Sequence, residues 1–399
     1  MIKNVVININ KNIVMLQIMI LSVLIINSNI HLPCLPAIQA FYDTSEYTIQ
    51  IAFIINAFVA LFVSFFYGAA ADLYGRKPVL LWSLAFFIFG TLLIININTI
   101  YFFFLGRIFQ SLGDAGGAVV CGVIIGDSYK GKGYARVQAI LSIVLALAWA
   151  GSPILGGGIF SVFGWQGNFV FILILSVMMI IPIFFWQDKK RIKKQNHSML
   201  HEFVKTFKKI KLKFDTYFIM ISLLQALPMG LFMAFELMLP FIYKKDYGYS
   251  IESLSVFFFI FILINILGSL VYMLVIKYSS LKVMFHIAKC IIISYLILGL
   301  YFFTIYESSS ELSVYLVFGL LSFSLPFLVI SSSTKIVDTY AKQLGIAFAL
   351  LAIIRNVGTT FIPLLSCILA QNTFHSLFNI TLLPTILTVW LFFRILRRR

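Results

Sequence analysis

Charge is scarce in this 399-residue chain: Asp, Glu, Lys and Arg supply 11% of it, against 61% hydrophobic residues. That balance excludes a water-soluble protein, because no core of this length could hide so much apolar surface. Acid is scarcer still, with 14 Asp and Glu against 30 Lys and Arg and a formal charge of +16. The cysteines, Cys34, Cys121, Cys290 and Cys367, are scattered without CxxC spacing, so a disulfide framework or zinc site is not expected and they read as packing residues. The histidines (His31, His197, His201, His286 and His375) show no ligand spacing, and no acid-rich loop accompanies them, which argues against a polytopic membrane enzyme. The short alternating runs of a transmembrane β-barrel are missing as well. No cleaved signal peptide is expected, since the first apolar run is long and lacks a small-residue cleavage site.

What the chain has in abundance is long apolar runs. A hydrocarbon layer of ~30 Å takes roughly 20 residues of helix, and runs of that size fall near 13–32, 47–67, 79–96, 100–125, 136–159 and 169–186. After one polar break they resume near 216–240, 253–276, 283–304, 312–334, 346–370 and 377–393. The expectation is an all-α integral membrane protein with twelve transmembrane helices in two six-helix bundles, residues 1–187 and 216–399. A basic linker, 188–215, joins them.

Lysine and arginine in loops stay on the cytoplasmic side during insertion. With the N-terminus inside, 25 of the 30 fall in inner segments, two (Lys244, Lys245) outside, and three (Arg107, Lys289, Arg355) within spans. Both termini are therefore expected in the cytoplasm. The positive charge follows topology, so no nucleic-acid partner is implied. In the linker, Phe203, Phe207, Ile210 and Phe214 stand at helical spacing among lysines, the pattern of an amphipathic helix on an anionic leaflet. A repeat supports the two halves: LPCLPAIQAFYDTSEYT (32–48) and LMLPFIYKKDYGYSIES (237–253) share proline, aromatic residues, Asp and a helix-starting polar cluster.

The most specific local signal is GAAADLYGRK, Gly68 to Lys77, a GxxxDxxGRK pattern between the second and third spans. Gly68 is expected to permit close helix approach, Asp72 to fix a negative charge at the interface, and Gly75 to allow a tight turn. Arg76 and Lys77 hold that turn inside. On the fourth span, Arg107, Gln110 and Asp114 share one helical face. The seventh span carries Glu236 and the eleventh Arg355. Burying such charges costs at least ~2.5 kcal/mol unless they are paired or hydrated.

These residues resemble the major facilitator superfamily, and within it the Bcr/CflA-type drug:proton antiporters. GxxxDxxGRK is that group's hallmark. LPCLP (32–36), RIFQSLGDAGG (107–117), GDSYKGKGYAR (126–136) and LGIAFALLAIIRNVG (344–358) are similar to its other motifs, most closely over 29–187. GSPILGGG (151–158) resembles the antiporter motif, whose bend would rest on Gly151, Pro153, Gly156 and Gly157. The chain departs from the pattern in carrying Asn29 where the group usually has an acid, Ser152 where it has glycine, and Asp114 where it has a small residue. IKYSSLK (276–282) has lost the Asp and glycines of the first-half motif.

The resemblance implies a secondary exporter of drugs or hydrophobic and cationic small molecules in the inner (plasma) membrane, expected as a monomer without cofactor and driven by a proton gradient. Export or import of an endogenous metabolite, such as a siderophore, peptide, amino acid or sugar, is the alternative. A carboxyl group favours its neutral form in a closed apolar cavity and its charged form in water or beside an arginine, so proton and substrate would compete for it. Asp114 and Glu236 are the coupling candidates, with Arg107 their charged neighbour, and Asn29, Gln110 and Arg355 are cavity candidates.

Overall fold

The computed structural model describes residues 11–128, 131–186, 216–248, 250–305, 310–339, 344–369 and 373–397. The linker expected at 188–215, with its amphipathic face, lies outside them. Every regular element described is a helix. Eleven described segments are long and apolar enough to cross a membrane. One of them, Leu147–Phe185, has 39 residues, nearly twice the ~20 that a single crossing takes.

The chain packs as two compact units. The first comprises Met1–His31 and Phe62–Lys209, the second Leu32–Leu61 and Ile210–Arg399. These differ from the division expected at 187, because 32–61 belongs with the second unit.

In the first unit lie α1 (Lys11–Asn29), the second part of α3 (Glu46–Tyr74) from Phe62 onward, α4 (Arg76–Asn96), α5 (Ile100–Ser128), α6 (Gly131–Met178) and the short α7 (Ile180–Phe185). Gly75 separates α3 from α4 with φ 93°, a backbone that L side chains rarely adopt. The runs predicted at 136–159 and 169–186 are joined in α6, which leaves helical torsions only at Gly164 (φ 68°, ψ −175°). The helix thus continues through Pro153, and the interruption falls eleven residues later, where the sequence placed its loop. An apolar core of Val14, Ile125, Val137 and Leu141 ties α1, α5 and α6 together.

The second unit holds a 3₁₀ turn (Leu32–Cys34), α2 (Leu35–Phe41) and the start of α3, then α8 (Thr216–Tyr247), α9 (Ile251–Ile276), α10 (Leu281–Gly299), a π-helical turn (Leu300–Ile305), α11 (Glu311–Thr339), α12 (Leu344–Leu369) and α13 (Phe374–Arg397). On α9, Leu263, Leu267, Leu270 and Leu274 are exposed at helical spacing, while Phe257, Phe258, Phe261 and Ile262 are buried. A leucine stripe facing outward is the surface that lipid demands and water forbids.

The two sequence repeats start their next helices alike. Asp43 and Gly248 take positive φ, and two residues on, Ser45 and Ser250 accept from the backbone N–H groups of Thr48 and Ser253 at 3.1 and 3.4 Å. Before those caps the copies diverge. The first breaks into the 3₁₀ turn and α2, whereas α8 runs unbroken through Pro228 and Pro240.

Candidate functional site

The first unit encloses a polar network built on α5. Arg107, Gln110 and Asp114 project from one face and are all buried. The Arg107 guanidinium donates to Gln110 Oε1 (2.7 Å), Gln110 Nε2 donates to Thr91 Oγ1 (2.8 Å), and that hydroxyl donates to the Phe87 carbonyl of α4 (2.8 Å). The reach from α5 to Thr91 needs the two backbones nearly in contact. Gly90 and Gly106 permit it: a Cβ on Gly90 would sit 2.5 Å from the Gly106 carbonyl oxygen.

Two helical turns further along α5, Asp114 Oδ2 accepts from Asn27 Nδ2 at 2.8 Å. Arg107 and Asp114 are within electrostatic reach of each other. Asn29, standing where the resembling group has an acid, donates to the Ile25 carbonyl (2.8 Å) and accepts from Trp149 Nε1 of α6 (2.9 Å). The Ile30 carbonyl then accepts from Asn168 Nδ2 (3.3 Å), and a Cβ on Gly156 would overlap that same carbonyl. Gly156 is thus where α6 presses onto the end of α1. Gly157 is buried, and beside Gly151 there is open space.

His31 is buried in the same unit. It is wholly buried, its ring stacks on Phe169 at 4.0 Å between centroids and 15° between planes, and the charge of Arg107 reaches it. Sequence reasoning set His31 aside for lack of ligand spacing and missed Asn27, Trp149 and Asn168. Their partners lie 87, 120 and 138 residues away, and no local pattern announces such pairs. A signal was available for His31 and Asn27 all the same, since polar side chains in an apolar first span need an internal partner.

The GxxxDxxGRK turn is held by Arg76. Its Nε and Nη2 contact Asp127 Oδ2 at 3.0 and 2.8 Å, and Nη1 donates to the Ala71 carbonyl at 2.7 Å. Asp127 comes from the GDSYKGKGYAR motif, so the structure joins two motifs that the sequence could only align. Lys77 donates to the Phe184 carbonyl on α7 and lies over the Phe184 ring, 5.1 Å from its centroid. Among the described residues nothing lies within 4 Å of where a Cβ on Gly68 would stand, so they do not make the close approach expected there. The side chain of Asp72 lies outside the described set.

In the second unit Glu236 is buried on α8 beside Phe232 and Phe235. Phe235 stacks on Phe318 (4.0 Å, 13°) and meets Phe261 edge-on (5.1 Å, 74°). Among the described residues Glu236 has neither a hydrogen bond nor an ion pair. Arg355 is half-buried on α12, where its carbonyl accepts from Thr359 Oγ1 at 3.2 Å, and it makes no ion pair with Glu236.

Comparison with known proteins accords with this arrangement. The Major Facilitator Superfamily profile matches residues 18–304. The bicyclomycin resistance protein homolog of Haemophilus influenzae is 26% identical over 157 residues, 39% of this chain and 39% of that protein. Multidrug resistance protein MdtL of Escherichia coli O81 is 30% identical over 153 residues, 38% of this chain and 39% of that one. The chain spans about two fifths of the length of the curated relatives it matches. Among solved structures, a mutant of the nucleoside transporter NupG superposes with TM-score 0.70 at 15% identity, covering 96% of this chain and 98% of that one. A D-xylose-proton symporter gives TM-score 0.69 at 13% identity, covering 94% and 96%. These last likenesses concern the fold. With its helical units, outward-facing leucine stripe and buried charges, the chain belongs to the Major Facilitator Superfamily and is a multi-pass membrane protein, in a bacterium one of the inner membrane.

Proposed function

We propose that the chain exports hydrophobic or cationic small molecules in exchange for protons, each unit opening and closing the path in turn. The observation that carries this reading is Glu236, a buried carboxyl group on a helix turn that also buries Phe232 and Phe235, with no partner among the described residues. Burying a charge there without a partner costs several kcal/mol. The group is therefore suited to hold a proton while enclosed and to exchange it for a lipophilic cation once the aromatic walls part. Asp114 would serve as a second acid, poised between Asn27 and Arg107. An inward proton contributes roughly 2.3 kcal/mol per 100 mV of membrane potential, which offsets the cost of moving a cation outward. The resistance proteins named above supply the substrate class.

The same reading takes Leu147–Phe185 as two crossings that turn at Gly164, giving twelve in all with both termini in the cytoplasm. Uptake of a fluorescent lipophilic cation into inverted vesicles tests the function. It is expected to collapse with a protonophore, to be lost in Glu236→Gln and to fall at least tenfold in Asp114→Asn, about 1.4 kcal/mol or more. Proton-coupled uptake that persists with both acids neutralised would overturn the scheme, and uptake indifferent to any gradient would make the chain a facilitator.

A further inference from the structure

Lys289 sits inside α10, eight residues past the helix start, or ~12 Å along the axis. It shares a face with Lys282 and His286, at spacings of three and four, and both of those are exposed. α13 packs alongside with its far end at the start of α10: Phe285 meets Phe392 edge-on, and Lys289 lies over the Phe393 ring at 4.9 Å. Arg394 lies over Trp390 at 5.2 Å, and Arg394, Arg397, Trp390 and Phe393 are exposed. The sequence has no Asp or Glu anywhere in 253–306 or 339–399. Among the described residues, Lys282, Lys289 and Arg394 have no ion pair. A cation at this depth demands a counter-charge, and the described residues do not provide one nearby.

We propose that the face shared by α10 and α13 binds the headgroup of an anionic phospholipid. The exposed cations and the start of α10 lie together at the end that the positive-inside rule assigns to the cytoplasm, where anionic lipid is available. The helix start adds the partial positive charge of its open N–H groups, and Ser280 makes no side-chain cap there. Lys289 runs its stem up the apolar face toward the headgroup layer, a reach that a soluble acidic partner could not match from the water. The exposed rings of Trp390 and Phe393 flank the cations and offer the acyl chains an apolar wall. The site shares no residue with the polar network or with Glu236, so it stands whether or not the transport reading does.

Thermal melting of the purified full chain in detergent provides the test, with phosphatidylglycerol, phosphatidylcholine or inorganic phosphate added. Phosphatidylglycerol is expected to raise the midpoint at lower concentration than phosphatidylcholine, by about fivefold for each engaged cation. Phosphate alone is expected to do nothing. The Lys289→Gln/Arg394→Gln double variant should melt like the parent without lipid and lose that preference, while Lys289→Arg/Arg394→Lys should retain it. Equal response to both lipids, a full response to phosphate, or an unchanged preference in the glutamine variant overturns the proposal. Should the glutamine variant fail to fold, quenching of Trp390 by brominated lipid in the parent decides, with Trp390→Phe as reference. Stronger quenching by brominated phosphatidylglycerol than by brominated phosphatidylcholine at equal mole fraction supports the site, and equal quenching overturns it.

Discussion

Single atoms decide several outcomes in this chain. Gly156 and Gly151 belong to one motif and look interchangeable in sequence, yet only Gly156 faces a carbonyl that a Cβ would strike. Gly156→Ala must push the end of α1 away from α6 and is expected to cost about 1–3 kcal/mol, the usual penalty of overpacking. Gly151→Ala, with open space beside it, gains helix propensity and should be neutral or slightly stabilising. Melting midpoints of the two variants check this, and equal losses would refute the assigned contact. The charged candidates Arg107 and Asp114 were legible because a polar residue stands out in an apolar run. Gln110, which accepts from Arg107, was legible on the same face, but Asn27, which donates to Asp114, was not. Asn29 was read as a lost acid, but its amide donates to one helix and accepts from another, which a carboxylate could not do. Glu236 was legible as a residue, whereas its lack of any partner among the described residues is a property of the packed unit.

Most helices could be drawn from sequence alone, since a lipid-spanning helix is set by local apolar density and punctuated by glycine and charge. The expected runs coincide with helices, and the loop expected between 159 and 169 appears as a single residue of positive φ, Gly164. What sequence could not supply was the form of the breaks. Pro153 looks like a kink but keeps helical torsions, while the first repeat breaks at Leu32–Cys34 and its counterpart does not. The Gly164 turn gives an expected outcome at this scale. Cys290 is the exposed free thiol among the described residues, so a Cys290→Ser background is the starting point. There, Ser161→Cys should react with a membrane-impermeant maleimide in intact cells, and Lys282→Cys only after permeabilisation. Labelling of Lys282→Cys in intact cells with none of Ser161→Cys would make Leu147–Phe185 a single crossing and reverse the second half of the topology.

At the scale of the whole molecule, the proposed proton-driven export needs something to hold each state until it is due to change. The GxxxDxxGRK turn is suited to that. Asp127→Asn removes the Asp127 charge facing the buried Arg76 guanidinium. Since Asp127 itself is exposed, the loss of stability should be about 1–2 kcal/mol, between the values for surface and buried pairs. Transport is expected to fall by more than that loss explains, with the substrate concentration at half-maximal rate little changed, as measured in the same vesicles. A stability loss with unaltered turnover would reduce the pair to scaffolding. Arg76→Lys should resemble Asp127→Asn, because an ammonium cannot serve both acceptors in the plane of the fork.

One planar group thus ties the Ala71 carbonyl on α3 to the end of α5 at distances of 2.7–3.0 Å. Hydrogen bonds weaken steeply once bent or stretched out of such geometry. Any movement that slid α5 against α3 would have to give up these contacts together, and under the proposed cycle the joint would act as a latch, shut or sprung.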